Sequence, residues 1–135
     1  LLIPEENDDE RQLNDMCQWI RENLGANTPL HFTAFHTDFK MLDKERTPLS
    51  TLLRAREIAL SYGLNFVYCG NVHNVNTDCT YCPNCKKMVI KRDWYELGEY
   101  KLNEVGKCVY CKHQIAGVFE GPKQNFGRRR IPIRL

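Results

Sequence analysis

Four of the seven cysteines fall into two short pairs, CPNC at Cys82 and Cys85 and CVYC at Cys108 and Cys111, with 22 residues between the pairs. A CxxC turn presents two thiols from one tight loop, and a hairpin in the spacer returns the second pair to the first. The spacer slightly exceeds the usual ~15 to 20 residues, which a hairpin accommodates. Four thiolates about 2.3 Å from one ion complete tetrahedral Zn²⁺ and leave no coordination position open, so such a zinc site is structural. The spacing predicts an all-β zinc ribbon over residues 77–121, held by Cys82, Cys85, Cys108 and Cys111. In a small secreted protein the same cysteines would suggest disulfides; in a cytosolic chain, CxxC pairs point to metal.

Cys79 precedes the first pair and makes the run CxxCxxC. It reads as a free thiol in the lead-in loop, the other reading being an alternative ligand or part of an iron–sulfur site with Cys82 and Cys85. His73 and His113 are close enough in sequence to compete as ligands, but four thiolates already suffice. Lys86 and Lys112 follow the two pairs, where Gly is common. A left-handed backbone at either costs about 1 kcal/mol, small beside the ~10 to 16 kcal/mol of structural zinc binding.

With 135 residues, 42% hydrophobic and 27% charged, the chain has the composition of a globular domain and not of a disordered one. Apolar runs fall far short of the roughly 18 residues of a membrane helix, and no basic segment leads into an apolar signal core, so the expected location is cytoplasmic with no membrane partner. The opening LLIPEENDDE starts inside an apolar run without Met and reads as the middle of an element, so the chain is expected to be a fragment. Net charge is +2, but residues 1–78 carry seven basic and twelve acidic side chains, whereas residues 79–135 carry twelve and five. A thiolate-bound zinc removes about two positive charges from the second part, leaving a balance too moderate to require a nucleic-acid partner.

The first part alternates between strand and helix. LLIP reads as a strand end. NDDERQLNDMCQWIRENLG places Leu13, Met16, Cys17, Ile20 and Leu24 on one helical stripe, with Asn7 and Glu10 as a capping box and Gly25 as the stop. PLHFTAF has strand character; TPLSTLLRAREIALSYG predicts a helix with Thr47 as N-cap, Pro48 at its first position, and Leu49, Leu52, Leu53, Ala59 and Leu60 inward; LNFVYCGN is a further strand. Two consecutive βαβ units imply a parallel sheet with helices on one face only, although parallel sheets normally have both faces covered. The expected fold class is therefore α/β, with the sheet's missing cover supplied by an N-terminal barrel half, another chain or a second copy. From Cys79 onward, KMVIKRDWYEL alternates as a strand carrying Val89, Ile90, Trp94 and Tyr95, and HQIAGVFEG supplies another short strand. Residues 122–135 form a basic tail without regular structure.

In parallel α/β folds ligands sit beyond the C-terminal ends of the strands. The stretch HFTAFHTDFKM puts His31, His36, Asp38 and Lys40 at one such end, a group able to bind an anion or transfer protons. A polar strand end facing solvent reads the same way.

HFTAFHTDFKM, the following TP, LLRAREIALSYGLNFVYCGNV and YCPNCKKMVIKR together resemble the C-terminal half of the AmmeMemoRadiSam-system radical SAM enzymes, relatives of pyruvate formate-lyase activating enzymes. The resemblance implies that residues 1–76 are the C-terminal part of a partial (β/α) barrel, followed by the zinc ribbon. It further implies a parent protein with a [4Fe–4S] cluster that reductively cleaves S-adenosylmethionine and acts on an unknown substrate or a partner protein. His31, His36, Asp38, Lys40 and Asn71 are then the residues of this chain expected to line the cofactor cavity. The family's cluster loop is CxxxCxxC, a spacing this sequence lacks, so the chain is not expected to build the radical centre unaided. Thr37 and Phe39 depart from the family's Pro and Tyr.

A competing reading makes the second part a zinc-ribbon binding module for RNA or an acidic protein. Trp94, Tyr95, Tyr100 and Tyr110 would stack on bases, and Arg128, Arg129, Arg130 and Arg134 would contact phosphates. The same aromatics would otherwise form the ribbon's small core.

Overall fold

The computed structural model describes residues 1–119, so the expected basic tail and its arginines lie outside the described residues. The chain divides into two compact units, Leu1–Thr77 and the part from Asp78 onward.

In the first unit, α1 (Glu10–Asn23) precedes β1 (Leu30–Thr33), and α2 (Leu49–Ser61) precedes β2 (Val67–Gly70). β1 and β2 pair in parallel, His31 beside Tyr68 and Phe32 beside Cys69, and Leu2 bridges in parallel to Ala34 on the other side of β1. The observed sheet is therefore three parallel segments joined by two crossover helices. The barrel implied by the resemblance is not formed among the described residues. Leu13 and Cys17 of α1 and Leu52, Ala55 and Ala59 of α2 pack with Phe32, Ala34, Val67 and Cys69 into one core. Strand alternation puts Phe32 and Val67 on that face and His31, Thr33, Tyr68 and Gly70 on the other, where they are partly or fully exposed between buried Phe66 and Phe35.

Several helix details differ from the sequence expectation. Asp9, not Asn7, caps α1, accepting from the N–H groups of Arg11 and Gln12. Met16 and Leu24 are exposed, because Leu13 and Cys17 with half-buried Ile20 already fill the stripe against α2. In α2 the inward residues are Leu52, Ala55 and Ala59, while Leu49 and Leu60 lie toward solvent. Pro48 stands at the N-cap and contributes no side-chain bond.

Thr47 has a different task from capping. Its hydroxyl accepts from the Phe35 N–H at 2.9 Å and donates to the Leu2 carbonyl at 2.6 Å. The Leu2 N–H already bonds to the Thr33 carbonyl at 2.9 Å, so the hydroxyl replaces the next rung of the parallel ladder. Thr47 is 2% exposed, which makes this relay a buried one.

Both sheet edges are closed by side chains. Asn7 accepts from the Ile3 N–H at 2.7 Å and donates to the Leu1 carbonyl at 3.0 Å, as a residue of a neighbouring strand would. On β2, Phe66 and Gly70 accept from β1, so the carbonyls of Val67 and Asn71 point away from it. Arg56 donates to Val67 at 3.1 Å and Arg46 to Asn71 at 3.3 Å. Side-chain capping of this kind prevents unwanted strand pairing.

In the second unit, β3 (Thr80–Tyr81), β4 (Met88–Asp93) and β5 (Glu96–Tyr100) form an antiparallel sheet in that order. The run expected as one strand through Tyr95 breaks at Trp94, whose φ is +54°, and turns back into β5. Trp94 and Tyr95 are exposed at this turn instead of supplying ribbon core. After β5 the described residues are held by isolated bridges, Leu102 with Cys108 and Lys107 with Gln114, so of the strand expected in HQIAGVFEG the described part, residues 113–119, forms a single bridge. The short helix α3 (Val75–Asp78) lies at the boundary between the units.

The relay makes a direct prediction. Thr47→Val removes both bonds while leaving a buried donor and acceptor unsatisfied, and should lower stability by about 1 to 3 kcal/mol. Thr47→Ser should retain most of it; equal melting temperatures for the two variants would exclude the relay as a stabilising element.

Candidate metal centre

The two cysteine turns are built alike. In the first, Cys82 N–H donates to Lys87 carbonyl and Lys86 N–H to Cys82 carbonyl, both at 2.9 Å; in the second, Cys108 N–H donates to His113 carbonyl and Lys112 N–H to Cys108 carbonyl, again at 2.9 Å. Lys86 and Lys112 adopt φ of +59° and +62°, the left-handed backbone that closes each turn. The Lys87 N–H then donates to the Cys85 sulfur and the His113 N–H to the Cys111 sulfur. Asn84, between the first two cysteines, donates its side-chain N–H across to Cys111.

The sulfurs of Cys82, Cys85, Cys108 and Cys111 all lie within 4.8 Å of one another. Cys82 and Cys111 Sγ are 3.6 Å apart and Cys85 and Cys108 Sγ 3.8 Å apart. A tetrahedron of sulfurs around an ion at about 2.3 Å has edges of about 3.8 Å, whereas a disulfide needs about 2.05 Å. The geometry is that of four separate ligands to a single ion. These four cysteines are positioned to bind a metal ion, with Cys82 and Cys108 buried and Cys85 and Cys111 half-buried.

Electrostatics agree with a site that needs a cation. Four thiols this close share protons unequally. Asn84 and then the His113 N–H stabilise the Cys111 thiolate and lower its pKa to about 6. The Lys87 N–H pulls Cys85 in the same direction, but burial and the neighbouring thiols outweigh it and push Cys85 up to about 11. Once one sulfur has ionised, the next ionises only at higher pH, and a bound cation would lower that cost.

The remaining thiols have other surroundings. Cys79 is buried and lies against β4, its sulfur accepting from the Arg92 N–H at 3.4 Å and donating to the Arg92 carbonyl at 3.7 Å. It stands outside the four-cysteine group, as do His73 and His113. Cys17 and Cys69 sit in the core of the first unit, where burial raises the Cys17 pKa.

The residues expected around a cofactor cavity are distributed over the strand ends. His31 lies on the helix-free face of the sheet, stacked on Tyr68 with ring centroids 4.8 Å apart. His36, Asp38 and Lys40 are exposed on the loop after β1. There Asp38 accepts from the Phe39 N–H at 2.7 Å, and Lys40 Nζ lies 5.5 Å from the Phe39 ring centre. Asn71 ties the strand ends together, donating from Nδ2 to the Ala34 carbonyl at 3.2 Å with φ of +58°. Lys44, absent from the sequence expectation, pairs with Glu6 at 2.7 Å and Glu5 at 3.4 Å and joins the loop after β1 to that after Leu2.

No family model matches the sequence, and no solved structure matches it. An uncharacterized protein of Methanocaldococcus jannaschii, MJ0808, is 39% identical to it over 116 residues, which are 85% of this chain and 35% of the relative. The chain spans about a third of the length of the curated relative it matches.

Two outcomes follow. Lys86→Gly and Lys112→Gly should each stabilise the metal-loaded form by about 1 kcal/mol, because Gly adopts the left-handed backbone without strain; denaturant titration of each variant measures this. Metal retention against a chelator should weaken as pH falls from 8 toward 5, since protons compete for the thiolates; retention independent of pH would contradict thiolate ligation.

Proposed function

We propose that the four-cysteine site holds one zinc ion as a structural staple and that the first unit serves as the C-terminal portion of a radical SAM enzyme's (β/α) barrel. The observation that supports the barrel reading is that, among the described residues, helices cover one face of the sheet only. Parallel strands are normally covered on both faces, and in a partial barrel the helix-free face, here carrying His31, Thr33, Tyr68 and Gly70, becomes the interior. His31, His36, Asp38, Lys40 and Asn71 would then sit on or beside the cavity that receives S-adenosylmethionine and substrate. Asn71 orients strand ends in this reading, while His31 and Tyr68 face the cavity. The relative's greater length is consistent with additional elements in a longer protein.

The preceding barrel strands would join beside Leu2. There they displace one neutral amide, Asn7, whereas a strand added to β2 must displace the guanidinium groups of Arg46 and Arg56. Charge-assisted bonds are the stronger, so β2 is the terminal strand.

The chain's own cysteines do not fit a [4Fe–4S] cluster. Cys82, Cys85, Cys108 and Cys111 converge on a single point, and Cys17, Cys69 and Cys79 are packed separately. The cluster and the radical chemistry it supplies belong to the parent protein, with a protein or small molecule as substrate.

Two measurements test the halves separately. Metal analysis and X-ray absorption of this chain should find about one zinc per chain with four sulfur neighbours, lost in Cys82→Ser and Cys108→Ser; joined sulfurs or no metal would refute the staple. The full-length archaeal relative, reconstituted anaerobically with iron and sulfide and given dithionite, should release 5′-deoxyadenosine from S-adenosylmethionine. This chain alone should release none. Absence of product from a relative shown to hold its cluster would refute the enzyme assignment.

A further inference from the structure

We propose that the cysteine-turn end of the second unit is a docking surface for single-stranded nucleic acid, in which lysines take phosphates and Tyr110 takes a base. This goes beyond the structural role of the metal site and does not depend on the enzyme assignment.

Charge is segregated within this unit. Residues 79–92 and 105–119 contain no Asp or Glu, whereas Asp93, Glu96, Glu99 and Glu104 lie on or beside the β4–β5 hairpin. Lys86, Lys87, Lys107 and Lys112 are exposed around the cage. Together they exceed the charge of about −2 that four thiolates and a divalent ion leave behind. The overall balance of the unit conceals this face, because the acids that offset it are on the hairpin.

The cage fixes the geometry. Its sulfurs lie within 4.8 Å of one another, so Lys86 and Lys112, each directly following a cysteine of the cage, are held beside the same four-sulfur cluster. Lys87 crosses to the other turn, with Nζ 4.6 Å from the centre of the Tyr110 ring. Tyr110 is 46% exposed, so a cation backs the ring while part of it remains open to solvent.

The ring is what favours nucleic acid over an acidic peptide. The exposed cations around the cage are lysines, point charges that attract phosphate and carboxylate alike. Arg92, the arginine of this unit among the described residues, is turned inward, donating to the Thr80 hydroxyl at 2.6 Å and the Asp78 carbonyl at 3.4 Å. An accessible aromatic ring flanked by lysines is the arrangement that single strands use for stacking without sequence preference. The left-handed strain at Lys86 and Lys112 has the same implication: glycine would suit the turns better, but would remove the charges.

The test uses the zinc-loaded full chain and a fluorescein-labelled twelve-nucleotide oligouridylate, read by anisotropy at low salt. Binding should weaken with added salt at a log–log slope of about −2, near −0.7 for each phosphate neutralised. The double variant Lys86→Gly, Lys112→Gly should keep its zinc, flatten the slope by about 1.4 and weaken binding about tenfold. Tyr110→Ala should weaken binding about tenfold while leaving the slope in place. No binding at low salt would overturn the proposal. So would a double variant that binds as tightly as the parent, which would assign the affinity to another surface such as the arginines at 128–130. Equal or tighter binding of an oligoglutamate peptide would replace nucleic acid with an acidic protein partner.

Discussion

The convergence of four sulfurs on one point is the constraint on which the second unit depends. Its buried apolar side chains are few, with Val89, Ile90, Leu102 and Ile115 as the largest contributors. A core of this size rarely stabilises a fold alone, and small domains usually add a metal or disulfides. The backbone bonds of the two turns are arranged to present sulfur toward the ion while sulfur itself accepts N–H groups from Lys87 and His113. A metal bound at these four cysteines would couple its binding to the folding of this unit, because the ligands come together only when both turns have formed.

The first unit solves a different problem with similar means. A parallel sheet of three short segments has two edges to protect and, among the described residues, helices on one face only. Side chains manage the edges: the Asn7 amide stands in for a strand on one side, and Arg56 and Arg46 cover carbonyls on the other. Between them, Thr47 repairs the ladder where the Leu2 segment diverges from β1. The opposite face carries no helix among the described residues, and only Phe35 and Phe66 are buried there. That difference is what makes the face, rather than either edge, the feature of this unit in need of an explanation.

Strong periodic signals carried through from sequence to structure. The spacing of Leu13, Cys17 and Ile20 found α1, and the two CxxC pairs found the metal cluster, because helical period and ligand spacing are local properties of the chain. Assignments that depended on competition between distant groups were less legible. Asn7 and Thr47 both look like helix caps in sequence, yet each bonds to backbone at the strand segments, Thr47 to buried groups and Asn7 to the exposed edge beside Leu2. Trp94 and Tyr95 looked like alternating strand residues because β-propensity cannot show where a hairpin turns. Asn84 reaches a cysteine 27 positions away, and only the folded cage reveals that bond, although an amide inside a CxxC turn is a recognisable donor.

The left-handed lysines connect these two kinds of information. Sequence identifies them as anomalies at positions where glycine relieves strain, and the structure shows that both adopt the strained conformation. A single such residue would be tolerated with a metal bound, since structural metal binding contributes far more to stability than the penalty. Two at equivalent positions, both cationic and both exposed, require a common cause. Compensation of the negative cage accounts for part of their charge, but backbone N–H donors and Asn84 already stabilise its sulfurs from within. The Lys112 ammonium donates to the Val109 carbonyl at 3.1 Å and that of neighbouring Lys87 lies over the partly open Tyr110 ring, so these cations stand where an anion arriving from solvent meets them, while the thiolates already have other donors.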